Sequence, residues 1–314
     1  MTDTQNEVFK TPVNKIRLFE HGAPGSQNLK LTRKYYTEDM PDGRVKHIVQ
    51  NITDPDIVPY IPDGIGNSTD RQRIPAVLII PGGAFRRLVY NFEGEDVAKW
   101  LNSMGIAAFV LECRLPSDEH DNAEDVPLID AMRAMRVIRG RAQEFGIDEA
   151  KIGVMGFSAG GFMAALLSTA YESDVYADYK YKDEYDKLSA RPDFAVCSYP
   201  VISIDDCIEA GKRYMSEEQV LERISDSKAK ILHKYNPDKL VRPDMPPVFI
   251  CETDDDRTTL SENSVGFYMA ARKAGVSAEL HIFRTGGHGY GCGDDFAQTG
   301  EWKVLFTKWI KSIG

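Results

Sequence analysis

Lys151-Ile152-Gly153-Val154-Met155-Gly156-Phe157-Ser158-Ala159-Gly160-Gly161-Phe162 is the stretch on which the reading of this chain turns. Its first half is a short apolar run of strand character, and Phe162-Met-Ala-Ala-Leu-Leu167 continues it as a helix-forming run. Between them stands Gly-x-Ser-x-Gly; strand, Gly-x-Ser-x-Gly, helix is the layout of a nucleophile elbow. The glycines permit a sharp turn and keep Cβ atoms out of it, so the Ser158 hydroxyl stands exposed at the end of the strand. The N-terminus of the following helix offers unpaired N–H groups to a developing negative charge.

Outward from the elbow the chain alternates. Ala76 to Ile80, Ile106 to Leu111, Phe194 to Tyr199, Pro247 to Cys251 and Ala278 to Phe283 read as strands. Gly94 to Met104, Val126 to Phe145, Ser261 to Ala274 and Trp302 to Ile310 read as amphipathic helices. Near-continuous apolar strands alternating with such helices predict a doubly wound α/β domain, its mostly parallel sheet covered on both faces. Residues 1–44 are polar and weakly patterned and read as an N-terminal arm or edge segment, with Val13 to Phe19 its strand candidate; residues 45–314 form the main domain. Val45 to Gln50 and Asp56 to Tyr60 read as short strands and Pro62 to Arg73 as a polar loop. Residues 203–245 break the alternation with a charged, helix-forming run, Ser216 to Lys230, and read as a small inserted cap. Tyr171 to Tyr185, with five tyrosines, reads as a decorated surface loop.

The 314 residues suffice for one large core. Composition is 42% hydrophobic and 27% charged, as in ordinary globular chains. A net charge of −10 argues against nucleic acid and anionic membrane as partners and leaves a neutral small molecule or a second copy of the chain. Five cysteines, odd in number and without Cys-x-x-Cys spacing, read as a reduced set with neither a disulfide framework nor a zinc site. The polar, acidic N-terminus lacks a basic-then-apolar leader, and no apolar run approaches membrane-spanning length, so the expected compartment is cytoplasmic.

A serine hydroxyl is a poor nucleophile without a base, and the base needs a third group to hold its tautomer. Where such a serine sits on this kind of elbow, the partners follow as Asp or Glu, then His. Three histidines follow Ser158: His233 in the insertion, His281 inside a strand, and His288 in the glycine-rich loop Thr285-Gly-Gly-His-Gly-Tyr-Gly291. A loop at the C-terminal end of a strand is where an open α/β sheet places functional groups, so His288 is the expected base. The acid belongs after the Val248 to Cys251 strand, where Glu252, Asp254, Asp255 and Asp256 all stand; spacing alone does not choose among them. Ile80-Pro-Gly-Gly-Ala-Phe85 occupies the place of an oxyanion loop, with the N–H groups of Gly83, Ala84 and Ala159 as candidate donors. This chemistry needs no cofactor and no metal.

Several of these segments recur together elsewhere. Ile52-Thr-Asp-Pro55, Pro81-Gly-Gly-Ala-Phe85, Glu93-Gly-Glu-Asp96, Arg114-Leu-Pro116, Gly156 to Gly161, Glu262-Asn-Ser264 and Gly286-Gly-His-Gly-Tyr290, in that order, resemble the esterase/lipase-like α/β hydrolases related to acetylxylan and carbohydrate acetyl esterases. The resemblance covers roughly residues 45–312. It implies an α/β-hydrolase fold and places the acid seven residues before the Asn of Glu-Asn-Ser, at Asp256. The chain departs from that pattern in Arg257-Thr-Thr-Leu260 after the acid, in Phe162 where His is frequent, and in the cationic pair Arg86-Arg87, for which a salt bridge with Glu93, Glu95 or Asp96 is expected. The expected activity is a Ser158–His288–Asp256 carboxylesterase acting through an acyl-enzyme on short-chain esters. Acetyl esters of xylo-oligosaccharides are implied by the resemblance alone. A peptidase or amidase with the same residues, and a non-catalytic ligand-binding protein, are the rival readings.

Overall fold

Strand-forming segments that are apolar on both faces belong in the middle of a covered sheet, and the arrangement of this chain follows that rule. A computed structural model describes residues 9, 13–65, 73–213, 215–216, 218–220, 230–293 and 298–313. Its strands are β1 (Ile16–Arg17), β2 (Lys34–Asp39), β3 (Val45–Gln50), β4 (Asp56–Tyr60), β5 (Ile74–Ile80), β6 (Leu88–Val89), β7 (Ala107–Glu112), β8 (Ile147–Phe157), β9 (Ala195–Ser198), β10 (Val248–Thr253) and β11 (Ala278–Phe283). Eight form one sheet in the order β1-β4-β7-β5-β8-β9-β10-β11. From β7 to β11 every pairing is parallel; β4 and β1 add on antiparallel at one edge. This is the α/β-hydrolase fold.

The helices are α1 (Asp96–Ser103), α2 (Val126–Gly140), α3 (Ala142–Phe145), α4 (Ala159–Ala170), α5 (Ile204–Lys212), α6 (Lys230–Lys234), α7 (Ser261–Lys273) and α8 (Glu301–Ile313). α1 and α8 cover one face of the sheet, where Trp100 lies 4.9 Å edge-on from Trp302 and 5.5 Å from Phe306. α2 packs against α4, and the 3-10 turn Pro237–Lys239 touches both α4 and α7. In β5 the run Ala76-Val-Leu-Ile-Ile80 is wholly buried, each large aliphatic side chain contributing about 1.5–3 kcal/mol. None of the helices among the described residues is long and apolar enough to cross a membrane.

Several segments differ from their sequence reading. The long helix expected over Val126 to Phe145 breaks at Arg141 (φ −104°, ψ 16°), and the chain turns before α3; at Gly140, the last residue of α2, a Cβ would lie 2.3 Å from the Tyr185 ring. The helix expected from Gly94 begins as a wide turn over Asn91–Glu95 and becomes α-helical only at Asp96. Lys34–Asp39, in the segment read as weakly patterned, pairs antiparallel with β3, and β6 joins to make a three-stranded second sheet. That hairpin straddles residue 44. Tyr171 and Tyr176 are buried rather than decorating a surface loop; the Tyr176 hydroxyl takes a bond from Arg136, while Asp183 receives Arg133. Within the insertion, α6 is anchored by Lys234 to Asp125 at the start of α2 (2.8 Å). Most of the Ser216 to Lys230 run lies outside the described residues, as does much of the Pro62 to Arg73 loop.

Candidate active site

β8 ends at Phe157, and Ser158 follows in a backbone conformation (φ 54°, ψ −118°) that L-residues rarely adopt. Such a position costs about 1–3 kcal/mol and persists only where its surroundings enforce it. Here two close approaches do so. A Cβ at position 156 would meet the Gly160 carbonyl oxygen at 1.9 Å, and one at 160 would meet that of Ile80 at 2.0 Å, so only glycine lets α4 cross the strand ends this tightly. The Ser158 amide donates to the Ser198 carbonyl (3.0 Å), tying the turn to β9.

The loop after β11 brings His288 to this turn. Its Nε2 lies 2.8 Å from Ser158 Oγ, and its Nδ1 lies 2.7 Å from Asp256 Oδ2. An ionised carboxylate only accepts, so Nδ1 carries the proton and Nε2 faces the serine hydroxyl as an acceptor. Asp256 is buried just beyond β10. Its Oδ1 accepts the amides of Thr258 (2.7 Å) and Thr259 (3.0 Å), and its Oδ2 accepts the Thr259 hydroxyl (3.0 Å). The Tyr199 carbonyl oxygen, 3.2 Å away, is a second acceptor sharing that one hydroxyl proton, and the hydroxyl oxygen lies 3.2 Å from His288 Nδ1. The segment Arg257 to Leu260, which departs from the resembled pattern, thus supplies three donors to the carboxylate.

The other acids that spacing left open have different surroundings. Asp255 Oδ1 accepts the amides of Gly286 (2.9 Å) and Gly287 (2.8 Å), so it holds the loop carrying His288 rather than the imidazole. Asp254 is exposed, its amide donating to Phe283. Glu252 is buried beneath Asp256, bonded to the Thr253 amide and the Ser264 hydroxyl; burial, reinforced by the charge of Asp256, pushes its carboxyl well above the usual range. His281 pairs with Glu279 (2.7 Å) on the edge strand.

On the other side of Ser158 the Pro81 to Phe85 turn closes over the helix N-terminus. Gly83 (φ 138°) sits where a Cβ would strike the Arg87 carbonyl oxygen at 2.1 Å. The Gly82 amide is already used, donating to Glu93 (2.8 Å). Those of Gly83 and Ala84 have no hydrogen-bond acceptor among the described residues, and the Ala159 amide belongs to the first turn of α4, where helical N–H groups lack intrahelical partners. An apolar recess lies against this turn, lined by Phe85, Leu88, Leu115, Pro116, Ala159 and Met163. The ion pair expected between the arginine pair and the Glu93–Asp96 run is not the one formed by Arg87, which pairs with Glu38 (2.5 Å) because β2, unread in the sequence, passes beside it. Glu93 is instead buried.

Sequence reasoning overlooked Glu93, Tyr199 and Thr259 as parts of the site. Glu93 stood inside a quoted motif, but nothing local signals that its carboxyl is buried. Asn263 of Glu-Asn-Ser has a role of its own, its side-chain oxygen accepting the amides of Ile202 (2.9 Å) and Ser203 (3.1 Å) where the insertion begins.

Residues 65–270 match the model of the BD-FAE family, about two thirds of the chain. The chain belongs to that family. Over 240 residues this BD-FAE member is 31% identical to an acetylxylan esterase of Xylanibacter ruminicola, covering 76% of this chain and 45% of that protein. It is 34% identical, with a TM-score of 0.70 over 96% of both chains, to an acetyl ester-xyloside bifunctional hydrolase of Caldicellulosiruptor lactoaceticus. The carboxylesterase Cest-2923 of Lactobacillus plantarum WCFS1, 19% identical with a TM-score of 0.67 over 90% of this chain and 98% of that one, shares the fold. The chain spans less than half the length of the curated relatives it matches, 45% and 34% of them.

Proposed function

We propose that this chain is a serine-dependent carboxylic ester hydrolase for short acyl groups, with acetyl esters of xylose-based oligosaccharides as its substrate class. The observation that carries the reading is the unbroken relay Ser158 Oγ–His288 Nε2 (2.8 Å), His288 Nδ1–Asp256 Oδ2 (2.7 Å), with uncommitted amides on the opposite side of the serine. The names of the acetylxylan esterase and the acetyl ester-xyloside hydrolase, 31% and 34% identical to this chain, support the acetyl group and the xylose-based alcohol.

Ser158 Oγ attacks the ester carbonyl carbon as His288 Nε2 takes its proton. Asp256 holds the imidazole in the tautomer that accepts at Nε2 and stabilises the imidazolium once formed. The carbonyl oxygen, now negative, is met by the amides of Gly83, Ala84 and Ala159, donors already oriented before charge develops. Collapse of the tetrahedral intermediate breaks the bond to the alcohol oxygen, which leaves with the proton from His288. Water deprotonated by the same Nε2 attacks the acyl-Ser158 ester, releasing the carboxylic acid and restoring the hydroxyl.

The test compares wild type with Ser158→Ala on p-nitrophenyl acetate, butyrate and octanoate and on acetylated xylo-oligosaccharides. Turnover should be fastest with acetyl groups and fall by about 10⁴-fold or more in the variant. Cleavage of aryl esters with none of sugar acetates reduces the reading to a general esterase. Absence of Ser158-dependent ester turnover, with activity on aminoacyl anilides, replaces it by an amidase.

A further inference from the structure

The carboxyl of Glu93 belongs to none of the steps above, yet it touches the parts that perform them. It sits on the wide turn Asn91–Glu95, with the residue 4% exposed. One oxygen, Oε2, accepts the Gly82 amide at 2.8 Å, directly before Gly83 and Ala84. The other, Oε1, accepts the Tyr199 hydroxyl at 2.9 Å, and the Tyr199 oxygen in turn accepts the Gly291 amide at 3.0 Å, three residues beyond His288. The Tyr199 ring meets the His288 imidazole edge-on at 5.0 Å, and the Tyr199 carbonyl holds the Thr259 hydroxyl that reaches Asp256. An independent sign of how closely the carboxyl is fitted comes from Gly82: a Cβ there would lie 2.7 Å from Glu93 Oε2 and 2.9 Å from Ser158 Cβ.

Resting on the esterase reading, we infer that Glu93 is a positioning residue for the reaction, a single buried carboxyl that locks the Gly82–Ala84 turn and the His288 loop into one register through Tyr199. The amides that meet the oxyanion and the imidazole that moves the proton come from chain segments some two hundred residues apart. Neither loop is regular structure, and each takes one of its hydrogen bonds from this pair. Because both bonds orient groups that act on the tetrahedral intermediate, their loss falls on kcat rather than on substrate binding. Desolvation raises the Glu93 carboxyl from its ordinary value; the Tyr199 hydroxyl, the Gly82 amide and the nearby His288 and Lys46 oppose that rise.

The experiment measures kcat, KM and thermal midpoint on p-nitrophenyl acetate for wild type, Glu93→Gln, Tyr199→Phe and the double variant. Glu93→Gln keeps the shape but leaves the Tyr199 proton or the Gly82 amide without its acceptor. It should lower kcat at least ten-fold with KM within two-fold. Tyr199→Phe removes the hydroxyl's bonds to both Glu93 and Gly291, leaves the Gly82 amide on Glu93, and should lower kcat several-fold. The double variant should fall less than the product of the two, since both cut one network. Should Glu93→Gln fail to fold, Tyr199→Phe decides alone. A kcat within two-fold of wild type in the folded variants, or losses that multiply independently, overturns the inference. Ester turnover absent from the wild type itself overturns the esterase reading instead.

Discussion

Two regions of this molecule bury carboxylates, and they satisfy them differently. At one edge of the large sheet the acids face permanent cations. Asp130 receives the amide, Nε and Nη2 of Arg114, the pair being fully buried with its closest approach at 2.7 Å; Glu112 and Asp56 lie between Lys15 and Arg33. At the Ser158 end, Asp256 and Glu93 accept from amides, hydroxyls and one imidazole. Both sets are hydrogen-bonded, save that in the first Asp56 Oδ1 has no hydrogen-bond partner and meets Lys15 only at 3.9 Å. The difference is electrostatic. A guanidinium cancels the charge it binds, leaving a rivet between loops with little outward field. Amide and hydroxyl dipoles stabilise a carboxylate without cancelling it, so its charge remains available to an imidazolium nearby. On this contrast the first region builds and the second is the one we propose to react.

The largest effect that tests the contrast is Asp256→Asn. Asparagine keeps an oxygen for the Thr258 and Thr259 amides, so the fold should hold, with the thermal midpoint shifted by only a few degrees. Its amide cannot favour the Nδ1–H tautomer of His288, and kcat should fall by about 10³- to 10⁴-fold. Activity within ten-fold of wild type would mean that the carboxylate merely pins its own loop, and the contrast would fail. Asp130→Ala is the mirror image. It leaves Arg114 buried without its counter-charge and should cost about 3–5 kcal/mol in urea unfolding, with the kcat of the folded fraction unchanged. Replacing both, as Arg114→Met with Asp130→Leu, should recover most of that loss. If the single variant unfolds no more easily than wild type, the Arg114–Asp130 pair is not a structural rivet.

The parts of the molecule that the sequence displayed are those set by local covalent chemistry. The elbow was legible because only glycine fits at Gly156 and Gly160, and the sheet because β5, β7, the Ile152 to Phe157 half of β8 and Val248 to Cys251 of β10 are largely apolar on both faces. His288 stood out because glycines surround it after a strand. What stayed hidden depends on which distant segments come to lie together. β2 reads Lys-Tyr-Tyr-Thr-Glu-Asp because it pairs in a small, half-exposed sheet and never needed an apolar pattern. Glu93 and an exposed glutamate look alike in a sequence; the Gly82 amide and the Tyr199 hydroxyl that distinguish it lie 11 and 106 positions away. The four acids, Glu252 at the end of β10 and Asp254 to Asp256 on the turn after it, were inseparable by spacing, because their roles differ by which way each points.

The smallest effect belongs to the structural region and is read through pH. His120 is buried beside the Arg114 pair, its Nδ1 3.0 Å from Ser26 Oγ, which accepts from Arg114 Nη1 at 2.8 Å. Burial, with the Arg114 charge second, lowers its pKa from 6.5 to about 4. The folded chain therefore binds this proton less readily than the unfolded one. The stability His120 contributes is complete above about pH 6.5 and is lost progressively as pH falls toward 4. Asp118, pushed up to about 6 by burial, titrates in the same window with the opposite sign. The quantity to read is therefore the difference between wild type and His120→Gln rather than either curve alone. Urea midpoints measured from pH 7.5 to 4 should show wild type losing ground to the variant below pH 6.5, with the change levelling off near 4. Parallel curves would mean that the imidazole takes up its proton in the folded state as easily as in the unfolded one. Neither burial nor the Arg114 charge would then be felt at His120, the latter being cancelled by Asp130 as the contrast requires.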